Sequence, residues 1–510
     1  MIELLAEVRY QLEQVRDRHE TRRDELMIVY SEVTVSLSGA AVEQGNMMTD
    51  TTQFLAALGN IPTITDGIHL RQKSRDYYWY SPVLKRQLQD VAAAAIIMPR
   101  DENDIIAVLK ACYRHHVPLT VRGAGTGNYG QAMPIRGGIV LDVSALDRLL
   151  WVKPGLCRVE AGMTISRLDE ALGVHGQEVR MFSSTYRTAT VGGFVAGGSG
   201  GVGSITWGML REPGNVVAAR ILSMEAEPRV IELRGSDVTK ITHSYGCTGV
   251  ITELEMPLAP AYEWVDVILA FDDFMAACRF AQALTEAPGI VKKLATVIAF
   301  PIPQSYFKPL AEVIPDGKHI VIAMIAAHAW EAFVDFARAW AAPIIYRKMA
   351  REVEEEHGVP LYEFTWNHTT LWALKSDPGM TYLQTRFPAP DHLAKIETMY
   401  SHFGDEVPMH VEFLRDGGTF AAAGLQLVRF TTEQRLNEIM AFHEANGCQQ
   451  FNPHVYTLEE GGMKRVDPVQ LAFKREVDPK GLLNPGKMRG WEDPSWNPNP
   501  DQSHARLRPA

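Results

Sequence analysis

Between Gly192 and Gly203, seven of twelve positions are glycine. A run that dense gives up much backbone entropy on folding, so something must require bare main chain to come close to a partner. A flexible linker would be polar throughout. This run is interrupted by Phe194, Val195 and Ala196, is followed by Trp207, and is introduced by Ser184-Thr185 and Thr188-Ala189-Thr190-Val191. It therefore predicts a ligand-facing loop. Gly198, Gly200 and Gly203 satisfy G-x-G-x-x-G, but no clear strand precedes them and no clear amphipathic helix follows, so the match to a nicotinamide-type fingerprint is weak. No Gly-Lys-Ser/Thr occurs, which excludes a Walker phosphate loop.

Two further glycine elements flank this one. Pro99-Arg-Asp-Glu-Asn-Asp opens a helix with acidic residues in its first turn, and Ile105, Ile106, Leu109 and Cys112 give that helix a buried face. It ends near His115-His116. Val117–Val121 then reads as a short strand that runs into Arg122-Gly123-Ala124-Gly125-Thr126-Gly127-Asn128. Such a loop lets N–H groups converge on an anion, with Arg122 adding charge; a tight strand exit would use the same residues. The other element, Ser244-Tyr-Gly-Cys-Thr-Gly-Val-Ile-Thr-Glu253, is a glycine turn feeding a β-branched strand.

Composition narrows the function classes. The formal net charge is −11, with no basic run able to track a phosphate backbone, so nucleic acid is not an expected partner. No stretch of 18 apolar residues is present, so no membrane span is expected. The N-terminus lacks an apolar core with a cleavage site. Cys112, Cys157, Cys247, Cys278 and Cys448 are odd in number and never spaced as CxxC, which suits reduced thiols in a cytoplasmic protein.

Strands are expected at Gly138–Val143 and Leu156–Ala161, with a helix at Ile165–Leu172. Beyond residue 262 the pattern changes. Helices at Phe271–Leu284, Trp330–Trp340, Ala389–His402 and Thr432–Asn446 alternate with strands at His319–Ala326, Pro408–Leu414 and Gly424–Phe430. This predicts helices laid on one face of an antiparallel sheet. Asp478-Pro-Lys-Gly-Leu-Leu-Asn-Pro-Gly-Lys-Met488 is a turn-rich return segment.

Taken in order, these pieces resemble the FAD-binding oxidoreductases of the vanillyl-alcohol oxidase and p-cresol methylhydroxylase (PCMH) superfamily, nearest to the D-lactate, glycolate and 2-hydroxyglutarate dehydrogenase branch. Arg122-Gly-Ala-Gly-Thr-Gly resembles the family's pyrophosphate loop. Ser184-Thr185 with Ala189-Thr190-Val191-Gly192-Gly193 resembles its Ser-Thr…Ala-Thr-Ile-Gly-Gly segment. Gly249-Val250-Ile251-Thr252-Glu253 matches its strand, and Leu483-Asn484-Pro485-Gly486-Lys487 its C-terminal return. The resemblance is dense over 90–260 and 478–488.

It implies an α+β fold: a two-part PCMH-type FAD-binding domain plus an α+β cap (substrate) domain with an antiparallel sheet. The division is an N-terminal extension at 1–46, helical in pattern; an FAD-binding domain at 47–262 with its core at 90–260; a cap at 263–475; a return segment at 476–490; and a flexible tail at 491–510. The cofactor-binding residues it implies are Arg122 to Asn128, Ser184, Thr185, Thr190, Val191, Gly192, Gly193, Gly197, Gly198, Val250, Ile251 and Asn484. Thr126 stands where covalent members carry histidine, so noncovalent FAD is expected.

The branch's metal motif is broken. The nearest string, His402-Phe-Gly-Asp-Glu-Val-Pro-Met-His410, has the wrong spacing, and Glu459-Glu460-Gly461 stands where Glu-His-Gly would fall. No metal is therefore expected, and the branch's hydroxyacid substrate does not carry over directly.

Flavin performs the redox chemistry, so the protein must place the donor carbon and manage one proton. Candidates in the cap are His368 in Thr365-Trp-Asn-His-Thr-Thr, His410 two residues before Glu412, and His454 and Tyr456 in Asn452-Pro-His-Val-Tyr, with His454 and His368 ahead of His410. Each histidine has a duller reading as a satisfied structural group. Arg386 is the candidate for holding a substrate carboxylate, against an ordinary salt-bridged arginine. The expected function is hydride transfer from the CH–OH carbon of a small hydroxyacid, polyol or aromatic alcohol to FAD, by a dehydrogenase or oxidase. The acceptor is left open among oxygen, a quinone and an electron-transfer protein, and a homodimer is compatible with this reading. The competing expectation is a flavin-binding subunit without its own substrate site.

Overall fold

The computed structural model describes residues 53–198, 200–463 and 465–496, so the expected extension at 1–46 and the tail beyond 496 lie outside the described residues. Three sheets carry the architecture. The first is small: Thr63–Ile64, Ala95–Ile97, Ile139–Asp142 and Leu119–Arg122, in that spatial order, with the last three parallel. The helix Glu102–His115 crosses from Ala95–Ile97 to Leu119–Arg122, which flank Ile139–Asp142 on either side and run parallel to it. Asp101 caps that helix by accepting from Asp104 N at 2.9 Å, and Ile105, Val108, Leu109 and Cys112 are buried against the sheet. His116, at φ 56°, ends it in the left-handed region. The return segment closes the sheet's edge: Leu119 N donates to Leu482 O at 2.8 Å and Asn484 N to Leu119 O at 2.7 Å.

The second sheet is antiparallel, in the order Leu149–Lys153, Leu156–Glu160, Val250–Pro260, Ala218–Leu222 and Val230–Arg234. Gln177–Val179 pairs with the far end of the long central strand Val250–Pro260. The glycine-rich region lies between these strands. Val191–Gly197 is a short helix, and Thr190 caps it by accepting from Gly193 N at 3.1 Å.

The third sheet has eight antiparallel strands, in the order Ile344–Met349, Trp264–Phe271, His319–Ala326, Lys292–Ile298, His410–Asp416, Thr419–Gly424, Thr385–Phe387 and Gln449–Gln450. One face carries Val267, Leu269, Val297, Val321, Val411 and Phe413. These pack with Phe280, Phe333, Met399 and Ile439 from the helices Phe274–Glu286, Trp330–Ala339, His392–Phe403 and Glu433–Ala445. The opposite face buries Ile298, Ile320, Ile322 and Met324 with Ile302, Val353, Phe364 and Ala373. That second cover stops short. The part of this face bearing Leu414, Asp416, Ala423, Arg386 and Gln449 lines a cavity.

The fold class expected from the sequence holds: mixed helices and sheets, with antiparallel sheets among them. The expected strand Gly424–Phe430 is corrected. Thr419–Gly424 belongs to the large sheet, whereas Leu427–Arg429 pairs separately with Met380–Tyr382. The chain breaks at Gln426, whose buried amide accepts from Thr385 Oγ1 at 2.6 Å and bonds His443 Nε2 at 2.8 Å. The strands Trp264–Phe271, Lys292–Ile298 and Ile344–Met349 were absent from the sequence reading. Among the described residues no helix is long and apolar enough to cross a membrane.

Candidate active site

The cavity encloses about 790 Å³, within the roughly 300–1,000 Å³ typical of small-molecule and cofactor sites. Its floor is main chain. Residues 122–128 line it throughout, together with Ser184, Thr185, Thr190, Gly192, Gly193, Gly197, Gly198 and Ile251, so the structure brings these candidates to one cavity. Gly123 has no room for a side chain, since a Cβ there would overlap the Thr190 hydroxyl. Gly125 sits at φ 68°, and a Cβ would run into the Arg122 guanidinium. Arg122 is therefore folded beneath its own loop: Nη2 donates to Ala124 O at 2.8 Å and Nη1 to Arg75 O. Thr185 Oγ1 meets Thr126 Oγ1 at 3.3 Å, joining the two loops across the floor.

Three expected cofactor contacts lie elsewhere. Val191 and Val250 are buried in hydrophobic cores, while Ile251, the next residue along the strand from Val250, reaches the cavity. Asn484 stands behind the floor. Its Nδ2 donates to Gln131 O at 2.8 Å and to Tyr245 O at 2.6 Å, and its Oδ1 accepts from Thr120 Oγ1 at 3.3 Å. It braces the loops and does not line the cavity. Lys487, fully buried, donates from Nζ to Gly130 O, and burial pushes its ammonium down to about 7. Asp76, pushed up to about 6 by burial, accepts from Tyr78 N and Ala132 N, each at 3.0 Å. Neither buried group was anticipated.

The roof is made of side chains. Glu412, Ala423, Arg386 and Gln449 face one another across adjacent strands and so share a face. Arg386 lines the cavity in an ion pair with Asp416. Trp366, Asn367 and His368 also line it. Trp366 adopts φ 50° and ψ −144°, a region that a tryptophan occupies only under constraint. The constraint is Glu412, whose Oε1 accepts from Trp366 N at 2.7 Å. That turn brings His368 back onto Glu363, with Nδ1 against the carboxylate. Tyr129, next to the glycine loop, donates from its hydroxyl to Gln384 Oε1, and Gln384 Nε2 donates to Asn367 Oδ1 at 3.2 Å. Floor and roof are thus hydrogen-bonded to each other beside His368.

The other catalytic candidates are away from the cavity. His454 is 3% exposed, with Nδ1 on Ser81 Oγ at 2.8 Å and Nε2 on Tyr382 O at 3.0 Å, and burial pushes its imidazole down to about 4. Both ring nitrogens are committed. The expectation of a strand face there fails because residues 451–456 form no strand; Asn452 Oδ1 accepts from His454 N at 2.9 Å in a tight turn. Tyr456 packs beside Tyr78, Leu84 and Met133. His410 is fully buried and bonds Glu412 Oε1 from Nε2 at 2.8 Å, so it supports the Trp366 turn from behind.

Glu363, Tyr129, Gln384 and His243 were missed. Only Tyr129, adjoining Asn128, carried a usable signal. His243 lines the cavity at φ 54°, its imidazole pushed down to about 3 by burial. Among the described residues no three His, Cys, Asp or Glu converge to hold a metal ion. His402, from the broken motif, stacks on Phe442 at 3.8 Å.

A flat, polar-edged cofactor with a pyrophosphate fits this architecture. The glycine floor leaves backbone exposed where a Cβ would intrude, and two buried donors on the walls, Tyr245 Oη and Trp366 Nε1, have no partner within the described protein. Comparison with known proteins defines the class. Residues 93–230 match the family described as FAD binding domain. The chain is 27% identical over 204 residues to the glycolate oxidase subunit GlcD of Escherichia coli strain K12, covering 38% of this chain and 40% of that one. It is 29% identical over 178 residues to a D-lactate dehydrogenase of Archaeoglobus fulgidus, covering 32% and 38% respectively. These matches span about two-fifths of the relatives' length. The fold of alkyldihydroxyacetonephosphate synthase superposes over 86% of this chain and 85% of that one, with a TM-score of 0.64 at 15% identity. Residues 93–230 are thus an FAD binding domain, and the cofactor is FAD.

Proposed function

We propose that the chain is an oxidoreductase that removes a hydride from the CH–OH carbon of a small hydroxyacid, using noncovalently bound FAD. In this reading residues 47–262 and 476–490 hold the cofactor and 263–475 cap it. The observation that carries it is a cavity whose glycine floor faces a roof bearing both an imidazole and a guanidinium, His368 and Arg386. A bare flavin carrier needs the floor alone.

Bound FAD supplies a two-electron acceptor for the hydride. His368 Nε2 takes the hydroxyl proton as the C–H bond breaks, so that the carbon–oxygen bond becomes a carbonyl. Arg386 holds the substrate carboxylate with donors beyond the one turned to Asp416. Noncovalent attachment is supported by Thr126 at the loop and by five buried cysteines, none of which lines the cavity. The relatives point to hydroxyacids, since the names of two are glycolate oxidase and D-lactate dehydrogenase.

The test is anaerobic mixing of the FAD-loaded protein, with no partner present, against glycolate, D-lactate, polyols and aromatic alcohols. Bleaching of the visible flavin band by a hydroxyacid is expected. Bleaching by none of them would favour the second reading, a flavin subunit dependent on a partner, for which the GlcD relative, by name a subunit of glycolate oxidase, is the precedent.

A further inference from the structure

We infer that Glu363 is a positioning residue that fixes His368 in the tautomer with its proton on Nδ1, leaving the Nε2 lone pair to the cavity. This rests on the reading of His368 as the proton acceptor. An ionised carboxylate can only accept hydrogen bonds, so the ring nitrogen it faces must carry hydrogen. Glu363 Oε2 faces Nδ1, and the two side chains are only 18% and 10% exposed. Among the described residues Nε2 makes no hydrogen bond, and His368 lines the cavity.

The carboxylate has little freedom to turn away. It sits on the tight turn Leu361–Phe364, whose neighbouring carbonyl, Glu363 O, accepts from Trp372 Nε1 at 2.9 Å. Trp372 in turn stacks on Phe364 with centroids 5.1 Å apart. The left-handed Trp366, held by Glu412, then starts the helix Asn367–Ser376 so that His368 returns over the turn. Two elements five residues apart in sequence are thereby locked into one geometry.

The molecule supplies its own contrast. His410 also pairs with a carboxylate, but through Nε2 and in a fully buried position away from the cavity. His454 has both nitrogens engaged. Of these three histidines, it is His368 at which a carboxylate holds the inner nitrogen while the outer one is left to the cavity. A His–carboxylate pair of that handedness orients a base, because the wrong tautomer presents N–H where a lone pair is needed.

The experiment is ¹⁵N imidazole NMR of the FAD-loaded protein at neutral to mildly alkaline pH, with His368 assigned by its loss in His368→Asn. The wild type should show Nδ1 protonated and Nε2 bare at His368, and the opposite arrangement at His410. Glu363→Gln, whose amide donates as readily as it accepts, should let Nε2–H appear at His368 and slow flavin reduction about 10–100-fold, the usual range for a lost outer-shell partner, with FAD content unchanged. A wild-type His368 protonated on Nε2, or a Glu363→Gln protein with the wild-type pattern, overturns the inference, and the first measurement needs no variant of Glu363 to fold. If the tautomer shifts as expected but His368→Asn reduces flavin at full rate, Glu363 does set the ring and it is the choice of base that fails.

Discussion

The floor and roof of the cavity are built on opposite principles. The floor is main chain, held in place by what is missing: Gly123 and Gly125 lie where any Cβ would strike Thr190 or Arg122. The roof is a sheet strip that presents side chains, Arg386, Asp416 and the neighbouring His368, to the cavity, and the proposed function gives them the task of discriminating. A cofactor common to many enzymes can be gripped by backbone, whose N–H groups do not vary. A substrate must be told apart by side chains, which do. The difference teaches that binding of FAD and choice of substrate are separable here, and substitution should separate them.

The largest effect belongs to the floor. Gly123→Val should abolish FAD retention while far-UV circular dichroism stays near that of wild type, because the added atoms displace Thr190 and with it the cap of the helix Val191–Gly197. A purified variant with a full complement of flavin would show that the floor tolerates side chains after all. On the roof, His368→Ala should leave flavin content alone and slow anaerobic flavin reduction by roughly 10²–10⁴-fold, the worth of a positioned proton acceptor. Equal losses of flavin in the two variants would erase the distinction.

That same division explains what could be read without coordinates. The floor was legible because close backbone approach demands glycine, and Gly192 to Gly203 or Arg122 to Asn128 have few other uses. The helix Glu102–His115 was legible from periodicity, and the strand His319–Ala326 from its short β-branched apolar run. Lys292–Ile298, equally buried, opens on two lysines and carries Thr296, so neither alternation nor an apolar run marks it as a strand. On the roof, Glu363 and Gln384 matter through contacts made far along the chain or around a strained turn, and nothing local marks Trp366 as left-handed. Asn452, His454 and Tyr456 show the converse hazard: an i, i+2 pattern means a shared face only if the segment is a strand, and this one is a turn.

A smaller effect would sharpen the roof's role. Arg386→Ala should raise the KM for a hydroxyacid about 10–100-fold, the scale of one lost charge-assisted hydrogen bond, with less change in kcat. Arg386→Lys should recover only part, since an ammonium cannot serve Asp416 and a carboxylate in one plane. A polyol or aromatic alcohol turned over with unchanged KM in Arg386→Ala would mean that the guanidinium is structural.

The smallest effect concerns a histidine that belongs to neither surface. His454 is held between Ser81 Oγ and Tyr382 O, and burial pushes its imidazole down to about 4. An unfolded histidine titrates near 6.5, so between those values the unfolded chain binds the extra proton and the folded one does not. Stability contributed by the neutral ring is therefore fully present above about pH 6.5 and is lost as pH falls toward 4, by up to roughly 3 kcal/mol across that window. His243, pushed down to about 3, acts in the same sense and remains in the variant. His454→Gln should thus unfold more easily at pH 8, by about 1–3 kcal/mol for the buried partners left unpaired. Its stability should also fall less steeply with acid than the wild type's, as read from denaturant midpoints at pH 8 and pH 5. Its flavin reduction rate per bound FAD should stay within about twofold, since no ring nitrogen is free to receive a proton. A loss of reduction as large as that expected for His368→Ala, with the acid dependence of stability unchanged, would move the base from the roof to this buried turn and break the division between floor and roof.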